Sequence, residues 1–319
     1  VLLSDEAVPV GASSSGSDLE IADEPCIVVL TPSGGIARIP GEQPPANPES
    51  DASDSWRSWG ATTTRGQVVV LTSDGNAHRI PVEVLPALVR SDLGQSLAGT
   101  VALADIVSGS LGRDVEAMAV VSDDASKVLA LGTRKGIVKR VKPDWPTNRD
   151  IWPVVKLDED DRVVGASNSQ ATDFGVFLTR SAQLLKFPID TVRPQGGPAA
   201  GMAGIKLASN DEAIFFAAVE ETPTAVVATV TEPKDGLPGT VPGTAKLTPL
   251  AEYPAKGRAT MGVRCHRFLK DEGHLRLAWA GAFRPVATSA AGTPVALPSE
   301  LGKRDASGVA VASVIEALG

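Results

Sequence analysis

One short pattern recurs along this chain, and it constrains the fold more than any other feature. It consists of an apolar run, a Thr or small residue, a Gly-containing or polar turn, and a second apolar run that carries Arg or Lys and often closes on Pro. The clearest copies are Ile27-Val-Val-Leu-Thr-Pro-Ser-Gly-Gly-Ile-Ala-Arg-Ile-Pro40 and Val68-Val-Val-Leu-Thr-Ser-Asp-Gly-Asn-Ala-His-Arg-Ile-Pro81. Val128-Leu-Ala-Leu-Gly-Thr-Arg-Lys-Gly-Ile-Val-Lys-Arg-Val141 and Gly175-Val-Phe-Leu-Thr-Arg-Ser-Ala-Gln-Leu-Leu-Lys-Phe-Pro188 follow. Two weaker copies lie at 226–247, interrupted by a Pro/Gly-rich insertion, and at 285–298. Anchored on Leu30, Leu71, Leu131, Leu178, Ala228 and Ala287, the spacings are 41, 60, 47, 50 and 59 residues. Periods of ~20–50 residues mark repeat architectures. Gly75 and Gly136 fall where a tight turn needs a residue tolerant of positive φ, so each copy reads as a β-hairpin.

A second element follows most hairpins: a Gly/Pro-rich crossing, an apolar strand such as Val154-Val-Lys-Leu, Gly204-Ile-Lys-Leu or Cys265-His-Arg-Phe, and an acidic turn. A further apolar strand comes next, at 163–166, 213–219 and 275–280. The repeating unit is therefore about four strands. The composition agrees: 31 Gly and 24 Pro punctuate Val-, Thr- and Ala-rich runs, and aromatics are only 4%. Four-stranded units of this length arrange as blades around an axis, which protects their sheet edges. The expectation is an all-β protein of six four-stranded blades, a single domain over 1–319, with 1–25 as a linker or a first blade strand. Insertions at 40–58, 82–98 and 231–243 read as loops on the rim or an end face.

Other classes fit poorly. The hydrophobic fraction of 43% and charged fraction of 21% suit a folded core. No apolar run approaches the ~20 residues of a membrane-crossing helix. Val1-Leu2-Leu3 gives way to Asp5 and Glu6, which does not read as a signal sequence, and the missing initial Met suggests a piece of a longer protein. Two cysteines, Cys26 and Cys265, make no disulfide scaffold and suggest a reducing compartment.

The net charge of −8 is unevenly placed. Residues 1–58 hold ten acids and two bases, which accounts for the whole of it. Two segments of the neutral remainder are basic: 127–142 has six bases and no acid, and 246–270 has six bases against Glu252. They read either as solvated strand faces or as local phosphate-binding patches.

Catalytic and metal patterns are weak. Cys265-His266 lacks ligand spacing, and His78, His266 and His274 read as strand or turn residues. Asp158-Glu159-Asp160-Asp161 lacks the alternation of a calcium loop and reads as a blade turn. No phosphate-loop Gly-Lys-Ser/Thr and no nucleophile elbow occurs. Trp145, Trp152 and Trp279 read as core rather than stacking platforms.

The hairpin pattern Leu-Thr-x-x-Gly-x-x-x-Arg-x-Pro, the crossing from Arg193-Pro-Gln-Gly-Gly-Pro to Leu207, the stretch Lys256-Gly-Arg-Ala-Thr-Met-Gly-Val263 and Thr62-Thr-Thr-Arg-Gly-Gln67 together resemble a known family. It is the C-terminal domain of the A subunit of bacterial type IIA topoisomerases, gyrase and topoisomerase IV. The resemblance runs from about Asp23 to the end. It implies a β-pinwheel, a propeller-like disc with strands exchanged between neighbouring blades, which binds and bends duplex DNA on a basic rim without sequence preference. It implies no catalysis and no cofactor in this domain, with ATP and Mg used elsewhere in the parent enzyme. The implied partners are duplex DNA, the ATPase B subunit and the rest of the A subunit, in the bacterial cytoplasm and with no membrane. Tyr253, the only tyrosine, lacks the context of a strand-cleaving residue and reads as a packing residue at a blade edge.

Bases that recur once per hairpin, Arg38, Arg79, Lys139 with Arg140, Lys186 and Lys246, are expected to point the same way at each blade. The candidate DNA contacts are Arg65, Arg79, Arg134, Lys135, Lys139, Arg140, Lys142, Lys186, Arg193, Lys206, Lys246, Lys256, Arg258, Arg264 and Arg267. Gyrase carries a seven-residue basic box around paired glycines. The segment 256–262 keeps two bases but has no Gly-Gly, and Gln195-Gly-Gly-Pro lacks the bases. The resemblance is thus to the topoisomerase IV type, with relaxation or decatenation rather than wrapping. A propeller that binds a protein or a small ligand, with carboxylates at a central channel, is the rival reading.

Overall fold

The computed structural model describes residues 22–31, 34–42, 57–88, 101–102, 115–120, 128–234, 237 and 239–319. Most of the acidic segment 1–58 and most of the insertions at 40–58 and 82–98 lie outside the described residues.

The recurring Thr explains the hairpins. In four of them its hydroxyl accepts the backbone N–H across the turn: Gly35 to Thr31 at 2.9 Å, Ile137 to Thr133 at 3.3 Å, Gln183 to Thr179 at 3.2 Å and Thr244 to Thr231 at 2.8 Å. In the second hairpin Asp74 takes over, accepting from Asn76 N at 3.1 Å. The Thr carbonyl also accepts from the residue three positions on, and that residue lies at positive φ: Gly75 at 80° and Gly136 at 83°. Glycine takes that conformation without steric cost.

Each hairpin becomes the middle of a sheet. Blade 1 pairs Pro25–Leu30 with Gly35–Pro40, blade 2 Gln67–Thr72 with Asn76–Pro81, and blade 3 Val128–Thr133 with Ile137–Val141. Blade 4 pairs Phe174–Thr179 with Gln183–Pro188, and blade 5 Val226–Pro233 with Thr244–Pro249. A third strand joins the first hairpin strand of each: Ser58–Thr63, Val115–Val120, Val163–Ser169, Ala213–Val219 and Glu272–Gly281. These third strands touch one another in succession and form the inner row.

The opposite edge of each sheet is borrowed. Val101–Ala102 joins blade 1 although it follows the blade 2 hairpin in sequence, and Ile151–Pro153 joins blade 2 from beyond the blade 3 hairpin. Pro194–Gln195 and Met202–Ala203 likewise join blade 3, Val263–Arg264 joins blade 4 and Val309–Ala310 joins blade 5. Every one of these five sheets thus takes its outermost strand from the following module, the strand exchange that sets a pinwheel apart from an ordinary propeller.

The sixth sheet is smaller: Ala287–Thr288 pairs with Ala317–Leu318, and only an isolated bridge from Thr288 to Pro294 closes the expected hairpin at 285–298. The segments expected as strands before the acidic turns, around Val154, Ile205 and Cys265, form no ladder of their own. They bury those residues and make single bonds to the hairpin tip, such as Val154 N to Gly75 O at 2.9 Å and Cys265 N to Ala182 O at 2.8 Å.

The hairpin strands are apolar on both faces because each sheet is packed on both sides by its neighbours. Phe177, Phe187 and Phe216 fill the space between blades 3 and 4, with Phe177 and Phe216 ring centres 4.7 Å apart. Burial of this kind contributes roughly 1.5–3 kcal/mol per large side chain.

Candidate nucleic-acid interface

The recurring bases do not share one face. Aligned on the hairpin Thr, Arg38, Arg79, Arg140 and Lys186 occupy one position, whereas Lys139 and Lys246 occupy the position before it. Strand side chains alternate faces, so a one-residue offset reverses direction. Blade 1 has Ala37 in the Lys139 position, blade 2 has His78 and blade 4 has Leu185. The expectation of a common direction is therefore corrected.

Several of these bases are also buried rather than displayed. Lys139 is 0% exposed and its Nζ donates to the carbonyls of Val154 (2.7 Å), Gly196 (2.7 Å), Gly197 (2.8 Å) and Ala199 (2.8 Å). Lys246 is 3% exposed and donates to the carbonyls of Cys265 (2.7 Å), Lys303 (3.1 Å), Arg304 (2.6 Å) and Ala306 (3.1 Å). Burial pushes both ammonium groups down to about 8. Lys186, also buried, pairs with Glu221 at 2.6 Å and lies 5.1 Å from the Phe174 ring centre. Arg140 is buried beside Val192, and Arg79 is half-buried over Trp152 with its guanidinium on the carbonyls of Pro146 and Arg149. None of Lys139, Arg140, Lys186 and Lys246 is displayed for phosphate contact: the three ammonium groups are engaged inside the sheet, and Arg140 is buried with its Nε unpartnered.

The hairpin tips carry a different network. Arg134 and Arg180 both pair with Glu212, at 3.7 and 3.3 Å, while Lys135 Nζ donates to the Glu159 carbonyl. The acidic turns serve the backbone. Asp161 Oδ1 accepts from Lys135 N, and Asp211 Oδ1 from Ser181 N, each at 2.9 Å. Glu272 is buried, which alone would raise its pKa. Bonds from Thr231 (2.6 Å), Thr244 (2.5 Å) and Leu269 N (2.6 Å) outweigh that and hold it below its usual value. Tyr253 is 1% exposed in the core, where burial raises its phenol. Burial pushes the Cys265 thiol up to about 12, which leaves it inert.

Most of the exposed candidate contacts lie on the outer crossovers. Three of these contain a seven-residue loop in the same place: 195–201, 256–262 and 302–308. Each begins one residue after a parallel bridge to the outer hairpin strand: Pro194 to Arg140, Ala255 to Lys186, and Leu301 to Leu247. Each ends on a glycine. Gly262 has φ 76°, and a Cβ there would lie 2.2 Å from the Leu184 carbonyl.

The loops run side by side. Lys206 N donates to Thr260 O at 3.0 Å, Arg258 Nη1 to Ala203 O at 2.6 Å, and Arg267 N to Ala306 O at 3.1 Å. Lys142 N donates to Gln195 O at 3.0 Å. The structure thus brings together Lys142, Arg193, Lys206, Lys256, Arg258, Arg264 and Arg267 along the outer edges of blades 3 and 4; Arg258 is half-buried and the rest are exposed. Segments 193–207 and 255–267 contain no acid. Arg65 stands apart, exposed on the link between blades 1 and 2, its backbone N–H on Asp23 Oδ1 at 3.2 Å. Lys303 and Arg304, absent from the sequence-based set, extend the edge to blade 5. Their signal was the equal length of the three loops.

Strand-exchanged blades with loops of this kind define a β-pinwheel. A family model described as "DNA gyrase C-terminal domain, beta-propeller" matches residues 176–220 and 243–274. The chain is 32% identical over 154 residues to the DNA gyrase A protein of Kosmotoga olearia, covering 47% of this chain and 18% of that protein. It is 29% identical over 161 residues to that of Streptomyces coelicolor, again 18% of the relative's length. The chain thus spans less than a fifth of these relatives. Among solved structures, the C-terminal domain of DNA topoisomerase IV superposes with a TM-score of 0.67 at 18% identity, covering 92% of this chain and 93% of the other. The DNA gyrase A C-terminal domain gives 0.62 at 16% identity, covering 92% and 99%. The chain shares its fold with the C-terminal domains of topoisomerase IV and of gyrase A, and about half of its sequence is similar to gyrase A subunits. Among the described residues, no helix is long and apolar enough to cross a membrane.

Proposed function

We propose that residues 1–319 form a single β-pinwheel domain that binds duplex DNA without sequence preference along the outer edges of blades 3, 4 and 5. The observation that carries this reading is the acid-free pair of adjacent crossovers, 193–207 and 255–267, with exposed Arg193, Lys206, Lys256, Arg264 and Arg267 and half-buried Arg258. Bases on successive blades of a disc follow a curve, so a duplex that meets all of them bends. Contacts of this kind go to phosphates and give affinity without base readout.

In the parent enzyme the domain would present a bent duplex to the catalytic core for strand passage. That core would lie in the rest of the A subunit, work with the ATPase B subunit, use ATP and Mg, and act in the bacterial cytoplasm. The loops 195–201 and 256–262 favour relaxation or decatenation over gyrase-type wrapping, because neither combines paired glycines with a run of bases.

The test is duplex bending, read by energy transfer between dyes at the two ends of a short linear duplex. Shortening of the end-to-end distance on adding the chain, reversed by salt, is the expected result. A duplex that binds and stays straight would sink the bending claim, and no binding at low salt would sink the whole reading.

A further inference from the structure

We propose that Lys246 and Lys139 are positioning residues for DNA binding, each a buried ammonium that shapes an outer loop without touching the duplex. The proposal rests on the DNA-binding reading above. It begins with a repetition. The four carbonyls around Lys246 come from Cys265, Lys303, Arg304 and Ala306. Those around Lys139 come from Val154, Gly196, Gly197 and Ala199. Counted from the parallel bridges at Leu301 and Pro194, the loop carbonyls are the second, third and fifth residues on in both cases. The remaining carbonyls match too, since Val154 N and Cys265 N each bond the carbonyl of the positive-φ residue at a hairpin tip, Gly75 and Ala182. Blades 3 and 5 therefore contain the same ammonium cage.

The cage requires a charge. A lysine ammonium has three donors and no acceptor, whereas a neutral amide offers two donors. The four inward-facing carbonyls share the three ammonium donors, beside backbone bonds to Gly196, Ala199, Lys303 and Ala306 O, whereas an amide would supply fewer donors and turn its own oxygen towards the rest. In blade 5 the carbonyls of the consecutive residues Lys303 and Arg304 are both turned inward onto Nζ. That fixes two peptide planes of a loop with no ladder of its own, and leaves the Lys303 side chain exposed. His266, whose Nε2 accepts from Gly308 N at 3.2 Å, fixes the far end of the same loop. In blade 3 the caged loop links exposed Arg193 to exposed Lys206. Blade 4 has Leu185 in place of the lysine, and its loop is held from outside, by Arg258 on Ala203 O and by Lys256 Nζ on Gly262 O at 3.1 Å. An ordered loop presents its bases at no further entropic cost on binding, and a loose one does not.

The test uses the 319-residue chain with Lys246→Ala, read by duplex binding across a salt series and by hydrogen exchange over 302–308. The expected result is faster exchange confined to that loop, with duplex affinity lower by about tenfold. Ethylammonium in the buffer, which fits the vacated cage and donates, restores both. Tetramethylammonium at the same concentration, which has no N–H, restores neither. Lys139→Ala, read over 195–201, is the parallel variant should the first not fold. Faster loop exchange with unchanged affinity would overturn the proposal and leave the DNA-binding reading intact. Equal recovery with both ammonium salts would do the same. An unsubstituted chain that binds no duplex even at low salt would overturn the DNA-binding reading and this proposal with it.

Discussion

Substituting Lys139 by Met separates a buried staple from a phosphate contact. Met keeps much of the lysine stem and removes the ammonium. Four carbonyls then lose the ammonium, although Gly196 O keeps a bond from Ala199 N (3.2 Å) and Ala199 O one from Lys156 N (3.4 Å). Val154 is 0% exposed, so its carbonyl is stranded away from water, at about 1–3 kcal/mol. The three loop carbonyls, at the sheet edge, regain water at a smaller cost of about 0.5 kcal/mol each. The expected loss is roughly 2.5–4.5 kcal/mol of unfolding free energy, read as a lower midpoint in urea denaturation with an unchanged slope. An exposed lysine that only meets DNA would change stability by no more than about 0.5 kcal/mol. A Lys139→Met chain of native stability would refute the cage as described and return Lys139 to the outer surface.

Other consequences follow from the same geometry. Alanine at Lys206, Arg264 or Arg267 should leave the urea midpoint in place, weaken every duplex alike, and lower the slope of log affinity against log salt by about one for each phosphate no longer neutralised. Gly262→Ala should destabilise the chain by roughly 2 kcal/mol or more, since it adds backbone strain at φ 76° to a Cβ approach of 2.2 Å to the Leu184 carbonyl; a thermal melt reads it, and an unchanged midpoint would contradict the loop geometry. Burial pushes the His266 imidazole down to about 4, and its Nε2 accepts from Gly308 while Nδ1 bonds Thr229 at 2.9 Å. The folded state then binds fewer protons than the unfolded state between pH ~6.5 and 4, so stability falls across that window as pH drops, by on the order of 3 kcal/mol. His266→Gln should lose less stability over the same range, and equal losses in the two chains would count against a buried neutral imidazole.

The blades were legible in the sequence because their determinants are local. A Thr that closes the turn and a residue at positive φ three positions later repeat within fourteen residues, as in 27–40 and 68–81. The inner strands at 163–169 and 213–219 were legible for the same reason, as apolar runs after an acidic turn. The fate of the bases was not, because charge alone does not distinguish a side chain on one face of a strand from its neighbour on the other. Lys139 and Arg140 are adjacent and basic, yet one is caged by four carbonyls and the other lies against Val192. Deciding between them needs the crossover that covers the strand, and that crossover arrives about 57 residues later in the chain, at Gly196. Arg193, Lys206 and Arg258 stood out in the sequence as bases in Gly-rich crossings, but only the exchange of strands sets those crossovers side by side.

DNA binding by this chain, as proposed, rests on the outer crossovers of blades 3 and 4 holding the duplex backbone. The most direct measurement is binding of a short linear duplex across a salt series by the unsubstituted chain and by a chain with Lys206, Lys256, Arg264 and Arg267 all changed to Glu. The expected result is sequence-independent binding that weakens steeply with salt, and its loss in the substituted chain at every salt concentration while the fold persists. Undiminished binding by the substituted chain would contradict it.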